Sequence, residues 1–148
     1  MLEQDYLMRM ILVFFESIRK SWEEKEKEKD PLAAADTLEA AVGTATDMDG
    51  DLLLSLAPES IAQVMQVSGV DPRVTEYIAR GLLLESSYLE DGGDMQRAEL
   101  RAEQARAIAA AYGFDLPASF STADEAVAGM ETPAPLSEDD GTGASNVG

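Results

Sequence analysis

Residues 71–113 read DPRVTEYIARGLLLESSYLEDGGDMQRAELRAEQARAIAAAYG, and their punctuation decides the fold. Asp71-Pro72 is a helix start: the aspartate caps free N–H groups, and a proline in the first turn has no N–H to lose. Gly92-Gly93 supplies the left-handed residue that closes a helix. Asp94 then opens a second helix, which Gly113 closes. The interiors are rich in Ala, Leu, Glu, Gln and Arg, all strong helix formers. Tyr77, Leu84 and Tyr88 form one apolar stripe, and Ile78, Leu82 and Leu89 form its neighbour. Ala98, Ala102, Ala105, Ile108, Ala109 and Tyr112 present a matching face at helical spacing. The segment therefore reads as two antiparallel helices joined by a short turn.

The same punctuation recurs upstream. Asp30-Pro31 opens a helix expected to end at Gly43, and Pro58 opens one expected to end at Gly69, with a short helix between Met48 and Ala57. Leu32, Leu38 and Val42 are the bulky residues of the first, set among alanines that permit close helix approach. The second places Ile61, Val64, Met65 and Val67 inward. Beyond Gly113, Phe114, Leu116 and Phe120 read as core plugs under a loop, and a weak last helix spans Thr122 to Ala128. No segment sustains the two-residue alternation of a strand. The fold class expected is all-α, built from antiparallel helical hairpins.

Residues 1–30 form a separate element, a long N-terminal helix from Glu3 to Lys29. Leu7, Ile11, Phe14, Phe15, Ile18 and Trp22 make its apolar stripe, which Met8, Met10, Leu12 and Val13 widen almost all round. Such a helix has to be covered. Its second half is charged and reads as a solvated extension, with Glu16–Lys20 and Glu23–Lys27 spaced to pair at i,i+4. Residues 31–130 form the helical-hairpin domain. From Glu131 to residue 148 the composition (Pro133, Pro135, Asp139-Asp140, then Gly and Ser) is that of a disordered acidic tail.

Composition removes most chemistry. The 148 residues include no Cys and no His. There is thus no thiol nucleophile, no imidazole acid or base, and no His- or Cys-ligated zinc. All four lysines (Lys20, Lys25, Lys27, Lys29) fall in one charged run, and no phosphate-cradling glycine loop occurs. The net charge of −18 is uneven: residues 1–30 carry eight acids and six bases, and the remainder carry 21 and five. Such a surface repels phosphate, so nucleic acid is not an expected partner. The opening lacks a basic n-region and a cleavage site. The run Tyr6–Phe15 is interrupted by Arg9 and falls far short of the roughly 20 residues of a membrane span. The expected compartment is the cytoplasm.

Two constellations invite chemistry. Asp47, Asp49 and Asp51 alternate as in a calcium loop, but position six of such a loop is Leu52 and position twelve is Pro58, where glycine and a bidentate glutamate are required. Glu99 and Glu103 lie on one helix face, with Glu85 and Glu90 on the helix before. Without histidine they lack the di-iron pattern, and Arg97, Arg101 and Arg106 beside them point to solvated charge pairs. No catalytic, cofactor-binding or metal residue is expected, and the aromatic residues read as core.

Residues 79–110 resemble a tetratricopeptide hairpin. Leu82 and Leu89 fill its first-helix apolar positions and Ser86 its small position. Gly93-Asp94 fall at its turn, and Ala98 and Ala105 at the alanines of its second helix. Glu85 stands where leucine is typical, Ala102 where a larger aromatic is typical, and the terminal proline is missing. The opening Leu2-Glu3-Gln4-Asp5-Tyr6-Leu7-Met8-Arg9-Met10-Ile11 resembles the start of a domain-of-unknown-function family of short bacterial proteins. That resemblance implies an apolar N-terminal helix followed by tetratricopeptide-like helices, and it carries no activity. The function expected is a non-enzymatic protein–protein interaction or scaffold module, self-associating as a homodimer through the N-terminal helix. The alternative is a peripheral membrane-surface protein anchored by that helix. It is disfavoured by the lack of a basic polar face.

Overall fold

The computed structural model describes residues 2–130. Among them the chain forms seven helices and no strand: α1 (Leu2–Glu26), α2 (Pro31–Thr46), α3 (Gly50–Leu53), α4 (Pro58–Val67), α5 (Pro72–Asp91), α6 (Met95–Tyr112) and α7 (Ala123–Val127). The acidic tail expected from residue 131 lies outside the described residues.

Capping explains where most helices begin. Asp30, Asp71 and Asp94 each accept a backbone N–H of the first turn, and Thr122 does the same for α7. Each satisfies a donor that a helix leaves unpaired at its start. Helix α1 stops at Glu26 rather than at Lys29. Lys29 takes a left-handed φ of 57°, which redirects the chain into the Asp30-Pro31 start of α2.

Helix α5 is the centre. It packs against α1, α2, α6 and α7; α1 pairs with α2, and α4 covers α6. Both of its expected stripes, Tyr77–Leu84–Tyr88 and Ile78–Leu82–Leu89, are buried. Helix α1 crosses it at Gly81, where an added Cβ would stand 3.3 Å from the fully buried Phe14 ring. Farther along, Tyr88 Oη and Ser21 Oγ share a buried hydrogen bond of 2.9 Å. The phenol is pushed up to about 12, chiefly by burial.

Helix α2 corrects the expected end at Gly43. It continues to Thr46, and Asp47 takes the left-handed closing position at φ 56°. Gly43 serves instead for close approach. A Cβ there would meet Met48 O at 3.1 Å, and one on Gly50 would meet Glu39 O at 2.9 Å. The two glycines let α3 lie directly on α2. Gly50→Ala is expected to force α3 away and cost about 1–3 kcal/mol, the usual penalty for overpacking, measurable as a lower urea midpoint with unchanged helicity.

Two further expectations change. Val67, expected inward, is 88% exposed; it occupies the last residue of α4, beyond the inward pair Ile61 and Met65. Glu16–Lys20 and Glu23–Lys27 do not close as ion pairs among the described residues. Lys25 instead bridges Glu26 and Asp91 and lies over the Trp22 ring.

Candidate functional site

The apolar stripe of α1 divides into a buried line and a half-buried flank. Leu7, Phe14 and Ile18 are buried, whereas Ile11, Phe15 and Trp22 are half-buried against the core. Phe15 stands edge-on to Tyr77, with ring centroids 5.6 Å apart. The opposite side of the helix carries polar Ser17 and Glu24, and Glu24 accepts a 2.6 Å hydrogen bond from Thr37. Half-buried Val13 lies off the flank of Phe15 and Trp22; that flank faces α7. It forms one wall of a groove of about 430 Å³, with Leu12, Phe15, Ile18 and Trp22 on α1 and Ala123 and Val127 on α7; Glu16, Arg19 and Asp124 bring charge to it.

The second feature is a buried polar junction that the sequence reading assigned to the surface. Glu85 is fully buried, and Arg101 is 5% exposed. The Arg101 guanidinium joins four parts of the chain. Its Nε donates to Glu85 Oε2 at 2.9 Å, its Nη2 to Glu39 Oε2 at 2.8 Å, and its Nη1 to the Leu54 carbonyl at 2.9 Å. Buried Gln104 donates to the carbonyls of Leu54 and Leu56 at 3.0 and 2.8 Å. Arg97 adds a 2.7 Å contact to Glu39 from the rim. Helices α2, α5 and α6 and the α3–α4 loop meet here.

Electrostatics split the two carboxyls. Burial pushes Glu85 well above its ordinary range, and the hydrogen bond and charge of Glu39 push it further; Arg101 opposes both. Burial would raise Glu39 too, but the Glu85 hydrogen bond and the Arg101 and Arg97 guanidiniums outweigh it and hold the carboxyl at about 2. Geometry agrees. Glu85 Oε1 is buried with no donor facing it, which an ionised carboxylate would tolerate badly. Protonation of Glu85 relieves that cost and leaves Oε2 to accept from Arg101 Nε.

Glu99 and Glu103, by contrast, are exposed as expected. Asp47 and Asp49 serve as caps: Asp49 Oδ1 accepts the backbone N–H groups of Asp51 and Leu52 at 3.0 and 3.3 Å. Among the described residues no group of three or more acidic side chains is placed to hold a metal ion. Leu82, Leu89, Ala98 and Ala105 are buried between α5 and α6. Ser86 Oγ donates to the Ala98 carbonyl at 2.6 Å. Gly93 turns the chain at φ 86°. No helix among the described residues is long and apolar enough to cross a membrane.

Glu85 and Arg101 do carry a signal in the sequence. Glu85 lies between Leu82 and Leu89 on their own stripe, and Arg101 between Ala98 and Ala105 on theirs. A charge inside an apolar stripe has to find a partner there, and these two are opposite in sign on facing helices.

No family model, curated protein or solved structure matches this chain.

Proposed function

We propose that this chain is a cytoplasmic, non-catalytic interaction module that self-associates through the α1 flank. In this reading the α5–α6 hairpin is tetratricopeptide-like, and the opening residues mark kinship with the bacterial family they resemble. The observation that carries the reading is the one-sided apolar groove of Leu12, Phe15, Ile18 and Trp22 against α7. The opposing flank of α1 packs on α2, so the groove flank is the side left for a second copy. An isologous contact along one helix flank suits a twofold dimer. The buried junction ties α2, α5, α6 and the α3–α4 loop together, which supports a structural role for it.

Sedimentation of the intact protein at about 10–100 μM, a range suited to modest interfaces, tests the reading. The expected species is a dimer of the 15.9 kDa chain. Leu12→Glu places a charge in the groove without entering the buried line of α1. It is expected to return the protein to monomer with its helicity intact. An unmodified chain that remains monomeric throughout that range would overturn the reading.

A further inference from the structure

Beyond α6 the chain runs through residues 114–121 without helix or strand. Pro117 fixes its own φ and pushes Leu116 toward the extended region. The run is nonetheless held in place: Phe114 and Leu116 pack half-buried against the core, and Phe120 is 4% exposed within it. Its main chain, however, is unpaired. Among the described residues the N–H groups of Asp115, Leu116, Ala118, Ser119 and Phe120 meet no acceptor, and no donor reaches a carbonyl from Asp115 to Phe120. Pairing resumes at Ser121, whose N–H donates to Glu125 Oε1 at 2.7 Å. Ala118, Ser119 and Phe120 line one side of a groove of about 480 Å³ along the α5–α6 hairpin, and Ser86, Ser87 and Ala102 line the hairpin side. Glu90 and Glu99 border it toward the α5–α6 turn, and Arg106 borders it away from the turn. All three are exposed, and none forms an ion pair among the described residues.

We propose that this groove takes an extended peptide of a partner protein, paired main chain to main chain with residues 118–120 and carrying a lysine or arginine toward Glu90 and Glu99. Three observations select that occupant. A row of unpaired N–H and C=O groups is a template for a strand, and addition of a strand to such an edge is a general mode of peptide capture. The hairpin side is built of small side chains, which lets a peptide backbone come close to the edge it pairs with. The charges give the peptide a direction: a cation beside the two glutamates, a C-terminal carboxylate beside Arg106. From Met95 to Arg106 the groove follows α6 for about 16 Å at 1.5 Å per helical residue, a length that about five extended residues fill. Phe120 anchors the edge before anything binds, so little ordering cost falls on association. The groove shares no lining residue with the α1 groove, and the two readings stand or fall separately.

The probe is an array of pentapeptides tethered through their N-termini with free C-terminal carboxylates, half beginning with lysine and half with glutamate, read with the labelled intact protein. Lysine members are expected to be retained and glutamate members not. The best lysine member, titrated in solution, should shift the amide resonances of Ala118, Ser119 and Phe120. N-methylation of its alternate amides removes the main-chain pairing without altering the protein, and should weaken binding roughly 3–10-fold for each hydrogen bond lost. Glu90→Gln combined with Glu99→Gln changes two exposed side chains and leaves the fold intact. It should weaken binding roughly 2–10-fold, as the loss of two exposed ion pairs does, and erase the preference for lysine. An array that retains no member, or lysine and glutamate members alike, would overturn the proposal. So would resonance shifts that bypass residues 118–120. Binding that survives both N-methylation and the double glutamine variant would be general attraction to an acidic surface, and would overturn it equally.

Discussion

Arg101→Leu is expected to destabilise the protein by about 3–5 kcal/mol, the usual cost of removing one partner from a buried ion pair. The guanidinium is 5% exposed and serves two carboxyls and a main-chain carbonyl at once. Leucine leaves Glu39 with Arg97 alone. It leaves Glu85 Oε2 as unanswered as Glu85 Oε1 already is. The Leu54 carbonyl keeps Gln104, so the α3–α4 loop loses one of its three hydrogen bonds to these side chains. Arg101→Lys keeps the charge but not the fork, and a single ammonium cannot reach both glutamates and Leu54 in the same geometry; it should recover part of the loss. Arg97→Ala should cost under about 1 kcal/mol, because that side chain is 40% exposed and water screens its contact. Urea denaturation of the three variants checks the ranking. Equal losses for Arg97→Ala and Arg101→Leu would contradict the view of the junction as a single buried hub.

How far the sequence revealed this fold depends on the kind of signal. The α5–α6 hairpin was legible because Asp-Pro, Gly-Gly-Asp and the closing Gly113 act locally: each fixes a few backbone torsions with no help from distant residues. The buried stripes of α5 followed from spacing for the same reason. Gly43 misled because glycine has two uses, closing a helix and admitting a neighbour's backbone, and the second depends on where α3 lies. The junction was misread because an isolated charge is usually solvated. The exception needed the pairing of α5 with α6 and the placing of α2 across both. The apolar flank of α1 was legible, but its division into a buried line and an open side was not, since that division is set by Gly81 and by α7.

Stability should be greatest in mildly acidic solution, and Glu85→Gln should remove most of the decline above it. Both glutamates have an ordinary value of 4.5 and move in opposite directions on folding. Glu85 is raised. Its contribution is complete below 4.5 and is lost as the pH climbs through its folded value, because the unfolded chain gives up the proton first. Glu39 is lowered to about 2. Its contribution is complete above 4.5 and is lost as the pH falls through about 2. Asp36, raised by burial and by its acidic neighbours, adds slightly to the loss on the alkaline side. Each tenfold separation in acidity between folded and unfolded states is worth about 1.4 kcal/mol, or roughly 3–5 °C in Tm for a chain of this length. General repulsion among the acidic groups also grows with pH, so the wild-type profile alone does not isolate Glu85. The glutamine variant does. Its amide oxygen accepts from Arg101 as Glu85 Oε2 does, and it has no proton to lose. Between pH 5 and pH 9 the Tm of the wild-type protein should fall more steeply than that of the glutamine variant, whose unpartnered amide NH2 at the Oε1 position adds only a pH-independent offset. Parallel curves would mean that Glu85 is ionised throughout and that Arg101, rather than burial and Glu39, governs its charge.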